Sequence, residues 1–265
     1  MVIFIKIWCL IDLFSVFLHL LMANDYFRFK QFTLWQQHCA MKVGTDGVLL
    51  GAWAEGGQRI LDIGTGTGLI ALMMAQRFPM ADVTAVEIDG AAAKQARENV
   101  VASPFANRVE VIHKDIQQFA ENCPDECFDA IVSNPPYFVN SLKNPDAKRA
   151  LARHNENLSF CQLFSISYRL LAPSGVLSVV APVEVKSDVE GEASISGFFL
   201  QCCLQIKTTP KKQPKRCLMK FVKQLIQPIS QEVAVLQNAS GERSDWYRSL
   251  TNDFYLSEEE LSSCK

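Results

Sequence analysis

Residues 59–68 read Arg-Ile-Leu-Asp-Ile-Gly-Thr-Gly-Thr-Gly, and the chain then runs through an apolar stretch to Val86-Glu87-Ile88-Asp89. Residues 59–63 are a short apolar run of the kind that forms a buried strand. Gly64, Gly66 and Gly68 permit a tight turn after it and allow a ligand to lie against bare backbone. The apolar residues 69–78 open a helix whose first amides point at that ligand. A strand that ends in a glycine turn and feeds a helix is the unit of a parallel, doubly wound sheet.

Working outward, the same alternation continues. Residues 82–87 read as a strand, and 91–101 as a helix with Ala92, Ala96 and Val100 on one face. Further strands are expected at 109–113, 128–132 and 176–181, with a helix at 160–171 before the last. Near the start, aromatic and polar residues alternate from 27 to 32 in a strand-like pattern. Thr45-Asp46-Gly47 precedes 48–54 as the cap of a short helix. Residues 200–207 and 217–225 are joined by a basic, proline-containing loop and have hairpin character. They are expected to add an antiparallel strand at the sheet edge. The fold class that follows is α/β, a doubly wound, mostly parallel seven-stranded sheet with one antiparallel edge strand. Neither a repeat nor a linker divides the chain, so residues 23–257 are expected to form one domain, followed by an acidic tail at 258–265.

The chain has 265 residues, 49% hydrophobic and 20% charged, with a formal net charge of -2. That composition is ordinary for a globular protein with a sizeable core, and the charge neither marks nor excludes a nucleic-acid partner. The nine cysteines have no paired framework and no spacing suited to zinc, so reduced thiols in a cytoplasmic protein and no metal are expected. Residues 1–22 are almost wholly apolar, broken by Lys6, Asp12 and His19. As a signal peptide the stretch lacks a small-residue cleavage site. As a membrane span it would place Asp12 near the bilayer centre, at about 2.5–3.5 kcal/mol. The reading preferred is a misassigned start, with Met22 the true first residue.

Glycines at the first, third and fifth positions of the turn differ from the dinucleotide fingerprint, which needs the sixth, here occupied by Leu69. The spacing of Asp62-Ile63-Gly64-Thr65-Gly66-Thr67-Gly68 resembles motif I of the class I, Rossmann-like methyltransferases. That resemblance implies S-adenosylmethionine as cofactor, held by Asp62, Gly64, Gly66 and Gly68. Glu87 ends the second strand, where a carboxylate can accept both ribose hydroxyls. Asp89 is better explained as a helix cap. Asp115 alone would also be a cap; the resemblance implies that it takes the cofactor's adenine amino group.

The strand at 128–132 runs through Ser133 into Asn134-Pro135-Pro136-Tyr137. Strand carboxyl ends are where such sheets bind ligands, so this segment faces the glycine turn. Two prolines stiffen the backbone and leave carbonyls without competing N–H groups. The Asn134 side-chain oxygen and the Pro135 carbonyl can accept the two hydrogens of a planar amino group. Its lone pair, otherwise delocalised, is then aimed at a sulfonium methyl. Tyr137 would stack on the planar substrate. A proline-rich turn after a strand is common; its register against the glycine loop makes this one specific.

Beyond the shared core, the chain from Phe27 to Tyr255 resembles the bacterial tRNA(Val) adenine-N6 methyltransferases, which modify the adenine beside the anticodon. The motifs that carry the resemblance are Phe29-Lys30-Gln31-Phe32, Cys39-Ala40-Met41-Lys42-Val43-Gly44-Thr45-Asp46-Gly47, Asn134-Pro135-Pro136-Tyr137-Phe138, Ala152-Arg153-His154 and Leu250-Thr251-Asn252-Asp253-Phe254-Tyr255-Leu256. It implies that Lys42 to Asp46, Lys42 and Thr45 among them, lie near the cofactor's methionine end. The apolar residues 1–21 and the acidic tail depart from the family pattern without touching a site motif.

Charge supports an RNA substrate independently. Lys207, Lys211, Lys212, Lys215, Arg216, Lys220 and Lys223 fall in a segment without Asp or Glu. Gathered on one hairpin they would contact phosphates, although a solvated lysine-rich hairpin is an equal competitor. Arg149 and Arg153, in the loop after the motif, are further candidates; His154 is too generic to assign. The alternatives are a methyltransferase acting on rRNA guanine or protein glutamine, a nicotinamide-dependent oxidoreductase, disfavoured at Leu69, and a noncatalytic relic, disfavoured by the intact motifs. A monomer is the default expectation.

Overall fold

The computed structural model describes residues 25–37, 42–136, 158–225 and 227–257. The readings placed on residues 1–22, Tyr137, Arg149, Arg153, His154 and the tail from 258 lie outside them. The chain opens with a small antiparallel hairpin, β1 (Tyr26–Arg28) and β2 (Thr33–Trp35), and helix α1 (Thr45–Trp53). The alternating core follows as β3 (Arg59–Ile63), α2 (Leu69–Arg77), β4 (Asp82–Glu87), α3 (Gly90–Val101), β5 (Val109–His113), α4 (Ile116–Glu121) and β6 (Phe128–Ser133). Then come α5 (Phe160–Leu170), β7 (Leu171–Pro182), a 3-10 turn at Val183–Val185, α6 (Lys186–Ile195), β8 (Phe199–Lys207), β9 (Arg216–Val222), β10 (Ser230–Val235) and α7 (Asp245–Thr251).

The main sheet has the order β5-β4-β3-β6-β7-β9-β8-β10. All neighbours are parallel except β9, which is antiparallel to both β7 and β8. Two expectations are corrected here. Among the described residues the sheet has eight strands rather than seven, and its antiparallel strand lies inside it rather than at the edge. The reason is in the connections. The crossover through α6 carries the chain from β7 to β8 one strand-width beyond its neighbour, and the hairpin then returns β9 into the gap. The edge goes to β10, whose side chains at positions 231–233 are exposed. A half-exposed edge segment with little alternation gives a weak sequence signal.

Alternation along the strands separates two apolar layers. Ile60, Ala130 and Val132 face α1, α2 and the N-terminal hairpin, with Tyr247 of α7 in the same layer. Leu61, Ile63 and Ile131 face α4, α5 and α6. Burial on both faces explains why the central strands read as continuous apolar runs. In α2 every residue from Leu69 to Ala75 is buried, because it lies between the sheet and α1. The apolar alternation at 27–32 is not one strand: Phe29 N donates to Phe32 O at 2.8 Å, closing the turn between β1 and β2. Helix α6 escapes notice in the sequence because only Val189 and Ala193 are buried and Gly191 interrupts it.

Candidate active site

The parallel strands bring their carboxyl ends to one edge. Ile63 and Ser133 are register partners in the β3–β6 pair, and the Ser133 hydroxyl donates to the Ile63 carbonyl at 2.9 Å. Asn134 and Gly64, the next residue of each strand, therefore leave the sheet side by side. Asn134 is half-buried, Pro135 buried and Pro136 exposed. The first three residues of the expected catalytic motif thus stand beside the glycine loop.

That loop is an open backbone cradle. Gly64, Gly66 and Gly68 have φ of 72°, 57° and 85°, in the left-handed region that side chains resist. A Cβ added to Gly64 or Gly66 would meet nothing within 4 Å, so this backbone faces free space, whereas one on Gly68 would lie 3.5 Å from Ala96 Cβ. The first two glycines leave their backbone open to the space above the loop; the third serves helix packing as well as turn geometry. Asp62 is beneath the loop rather than in the open cleft. Its Oδ2 accepts from Thr65 Oγ1 at 2.6 Å and Ala71 N at 3.1 Å, and its buried Oδ1 has no hydrogen-bond partner among the described residues. Burial pushes its carboxyl up to about 7, against the lowering effect of those two bonds.

Glu87 closes the cradle from β4. Oε2 accepts from Gly66 N at 2.8 Å and Oε1 from Asp89 N at 2.9 Å. A carboxylate offers about four acceptor sites, so both oxygens keep capacity for a ligand's hydroxyls. Next to it Ile88 is 45% exposed, an apolar side chain at the lip of a polar cleft. The sequence reading missed it; the signal was an apolar residue between two carboxylates just past a strand. Asp89 caps α3, accepting from Ala92 N at 2.7 Å. Asp115 caps α4 through Oδ1, which takes Gln117 N at 2.7 Å and Gln118 N at 3.3 Å. The residues present fit a nucleoside: open glycine backbone, a carboxylate with spare acceptors, and an exposed apolar face.

Asn99 is a second residue that sequence reasoning passed over. It is fully buried in α3, and its Nδ2 donates to Thr67 O at 2.9 Å and to Trp35 O at 2.8 Å, while Oδ1 accepts from Trp35 N at 2.8 Å. One amide thus pins the glycine loop to the N-terminal hairpin. From there Gln36 Oε1 accepts from Val43 N at 2.7 Å, fixing the approach to α1. An asparagine inside a helix, where it is a poor former, was the available signal. Asn99→Ala leaves buried polar groups unpaired and is expected to cost about 2–3 kcal/mol, lowering Tm by roughly 5–10 °C. Thermal unfolding followed by circular dichroism checks this, and an unchanged Tm would refute the role.

Lys42 and Thr45 are exposed just before and at the start of α1. The expected cap is corrected: α1 begins at Thr45, its N-cap is Gly44, and no side chain among the described residues caps it. Asp46 is instead drawn into an ion pair with Arg216. The basic segment divides in two. Lys211, Lys212 and Lys215 are exposed in the turn between β8 and β9, at the carboxyl edge of the sheet. Lys220 and Lys223 sit toward the opposite edge, paired with Glu55 and Glu126 and lying over the rings of Trp53 and Tyr168. A single phosphate-facing hairpin of seven cations is therefore not formed, because successive positions along a strand traverse the sheet.

Comparison with known proteins agrees with this geometry. The family model described as methyltransferase small domain matches residues 42–202. A Bacteroides fragilis protein is 48% identical over 238 residues, covering 89% of this chain and 99% of its own length. A Trichodesmium erythraeum protein is 44% identical over 239 residues, with coverage of 89% and 99%. Both are named tRNA1(Val) (adenine(37)-N6)-methyltransferase. Among solved structures, a predicted O-methyltransferase from Agrobacterium tumefaciens shares the fold, with a TM-score of 0.61 at 20% identity over 79% of this chain and 96% of that one. With the glycine cradle and the Asn-Pro-Pro segment side by side, and with similarity covering 89% of its length, the chain belongs to the methyltransferase small domain family, in the group named tRNA1(Val) (adenine(37)-N6)-methyltransferase.

Proposed function

We infer that this chain is an S-adenosylmethionine-dependent tRNA methyltransferase that places a methyl group on the N6 amino group of an adenine next to the anticodon of tRNA(Val). The observation that carries the reading is the juxtaposition of Asn134 and Gly64 at the carboxyl edge through the Ser133–Ile63 register. S-adenosylmethionine supplies an electrophilic methyl on a sulfonium. The chain's task is alignment: methyl transfer from a sulfonium is downhill, and no strong general base is required.

In this reading Gly64, Gly66 and Gly68 admit the cofactor against bare backbone. Glu87 accepts its ribose hydroxyls with the lone pairs that Gly66 and Asp89 leave over, and Ile88 covers a face of its adenine. Asp115 takes the adenine amino group, and Lys42 and Thr45 lie toward the methionine end. Asp62 acts indirectly, by shaping the loop. Asn134 Oδ1 and the Pro135 carbonyl accept the two amino hydrogens of the target, while Pro136 holds the segment extended. Tyr137 is assigned from sequence alone as the stacking face. Lys211, Lys212 and Lys215 take phosphates, joined from sequence alone by Arg149 and Arg153. Residues 23–257 work as a single methyltransferase domain, as a monomer in the cytoplasm.

Purified protein with labelled S-adenosylmethionine is expected to methylate an unmodified tRNA(Val) transcript, and digestion of the product to yield N6-methyladenosine. Label confined to rRNA or to protein would overturn the substrate.

A further inference from the structure

Arg216 stands first in β9, directly after the cationic turn, yet its guanidinium Nε meets Asp46 Oδ1 and both side chains are partly buried. Asp46 lies in the first turn of α1. Beside it Gly47 packs so closely on α2 that an added Cβ would be 3.0 Å from Leu69 Cδ2, and Leu69 directly follows the last glycine of the loop. One turn on, Gly51 meets Met73 in the same way. The two helices thus start at the same edge and run side by side, with α1 wedged against the exit of the glycine loop.

The other end of the pair is equally well anchored. Lys215 N donates to Ile206 O at 3.0 Å, and Val183 N donates to Lys215 O at 3.1 Å. Arg216 is the register partner of Pro182 in β7, which also pairs with β6. Two strand spacings, about 10 Å, therefore separate the start of β9 from the strand that carries Asn134. One pair of side chains joins the helix on the cofactor loop to the strand that leaves the cationic turn.

We propose that Arg216 is a positioning residue rather than a phosphate contact, and that its pair with Asp46 sets the cationic turn relative to the glycine loop. The pair then determines where a polynucleotide held by Lys211, Lys212 and Lys215 lies with respect to Asn134. Removing either partner leaves the other charge partly buried and uncompensated, so the two act as a unit. A displacement of about 1 Å at a reacting centre costs on the order of a hundredfold in rate. The proposal rests on the reading of the chain as an RNA methyltransferase.

The test compares Asp46→Asn, Arg216→Gln, their double variant, and the exchanged pair Asp46→Arg with Arg216→Asp. A triple variant, Lys211→Ala with Lys212→Ala and Lys215→Ala, serves as reference. Each full-length protein is assayed for kcat on tRNA transcript, for tRNA affinity across a salt series, and for Tm. Each single variant is expected to lose about tenfold or more in kcat. The double variant should lose no more than either single one, the exchanged pair should recover part of the loss, and the salt slope should match the parent. The triple variant should show a shallower salt slope. A slope reduced by about one in Arg216→Gln, with Asp46→Asn unchanged, would make Arg216 a phosphate contact and overturn the proposal. A lowered Tm with parental kcat in the single variants would overturn it as well, leaving the pair a purely structural brace. A parent protein inactive on every tRNA would instead refute the underlying function.

Discussion

Asn134→Ala is expected to lower turnover by roughly 100- to 1,000-fold while leaving affinity for S-adenosylmethionine near that of the parent. The target amino group is planar because its lone pair is shared with the ring. Pyramidalising it requires acceptors placed where its hydrogens point, and a donor-acceptor pair aimed at a developing geometry is worth most where water is excluded. Asn134 is half-buried, and it directly follows a strand residue locked to β3 by the Ser133–Ile63 hydrogen bond. Its side chain therefore has a fixed origin. Alanine removes the acceptor without disturbing the strand, and the glycine cradle on β3 and β4 remains. Asn134→Asp keeps an acceptor and should fall between the two. Single-turnover kinetics with labelled cofactor, beside calorimetric cofactor binding, separates the steps. Parental turnover in Asn134→Ala would refute the amino-group mechanism.

Glu87→Gln should weaken cofactor binding by roughly 10- to 100-fold, the scale of losing a hydrogen bond to a charged group. The carboxylate accepts from Gly66 N through one oxygen and from Asp89 N through the other. Glutamine has one oxygen and one NH2, so either rotamer sets a donor against a backbone N–H. The amide loses one acceptor for the ribose and also releases either the loop at Gly66 or the start of α3 at Asp89. The effect should appear in cofactor Kd and KM more than in kcat at saturation. Isothermal titration with S-adenosylhomocysteine measures it, and a Kd equal to the parent's would remove Glu87 from the site.

The two substitutions differ in how visible their basis was. Asn134 and the glycine loop are both legible as motifs because strand-to-turn transitions in a parallel sheet depend on local signals: an apolar run, then glycine or proline. Glu87 is legible by its distance along the chain from the loop. Its bonds to Gly66 and Asp89 are not, since they depend on how two turns fold over each other. Asn99 and Ile88 belong to the same class. The first is defined by three hydrogen bonds to Trp35 of the hairpin and Thr67 of the loop, the second by exposure, and neither property is encoded in spacing.

Residues 59–137 alone determined the α/β class and the parallel core from β3 to β6, which follow from periodicity and turn chemistry over short separations. The cofactor class came from the resemblance of the glycine turn to motif I of the class I methyltransferases. The tertiary structure decided the rest. It placed β9 inside the sheet and β10 at its edge, because sheet order depends on crossovers whose reach the sequence does not print. It paired Lys220 and Lys223 with Glu55 and Glu126, apart from Lys211, Lys212 and Lys215 in the turn at the carboxyl edge, because a strand spaces successive charges along its length. It also paired Arg216 with Asp46, 170 positions away in the chain, through the packing of α1 against the sheet.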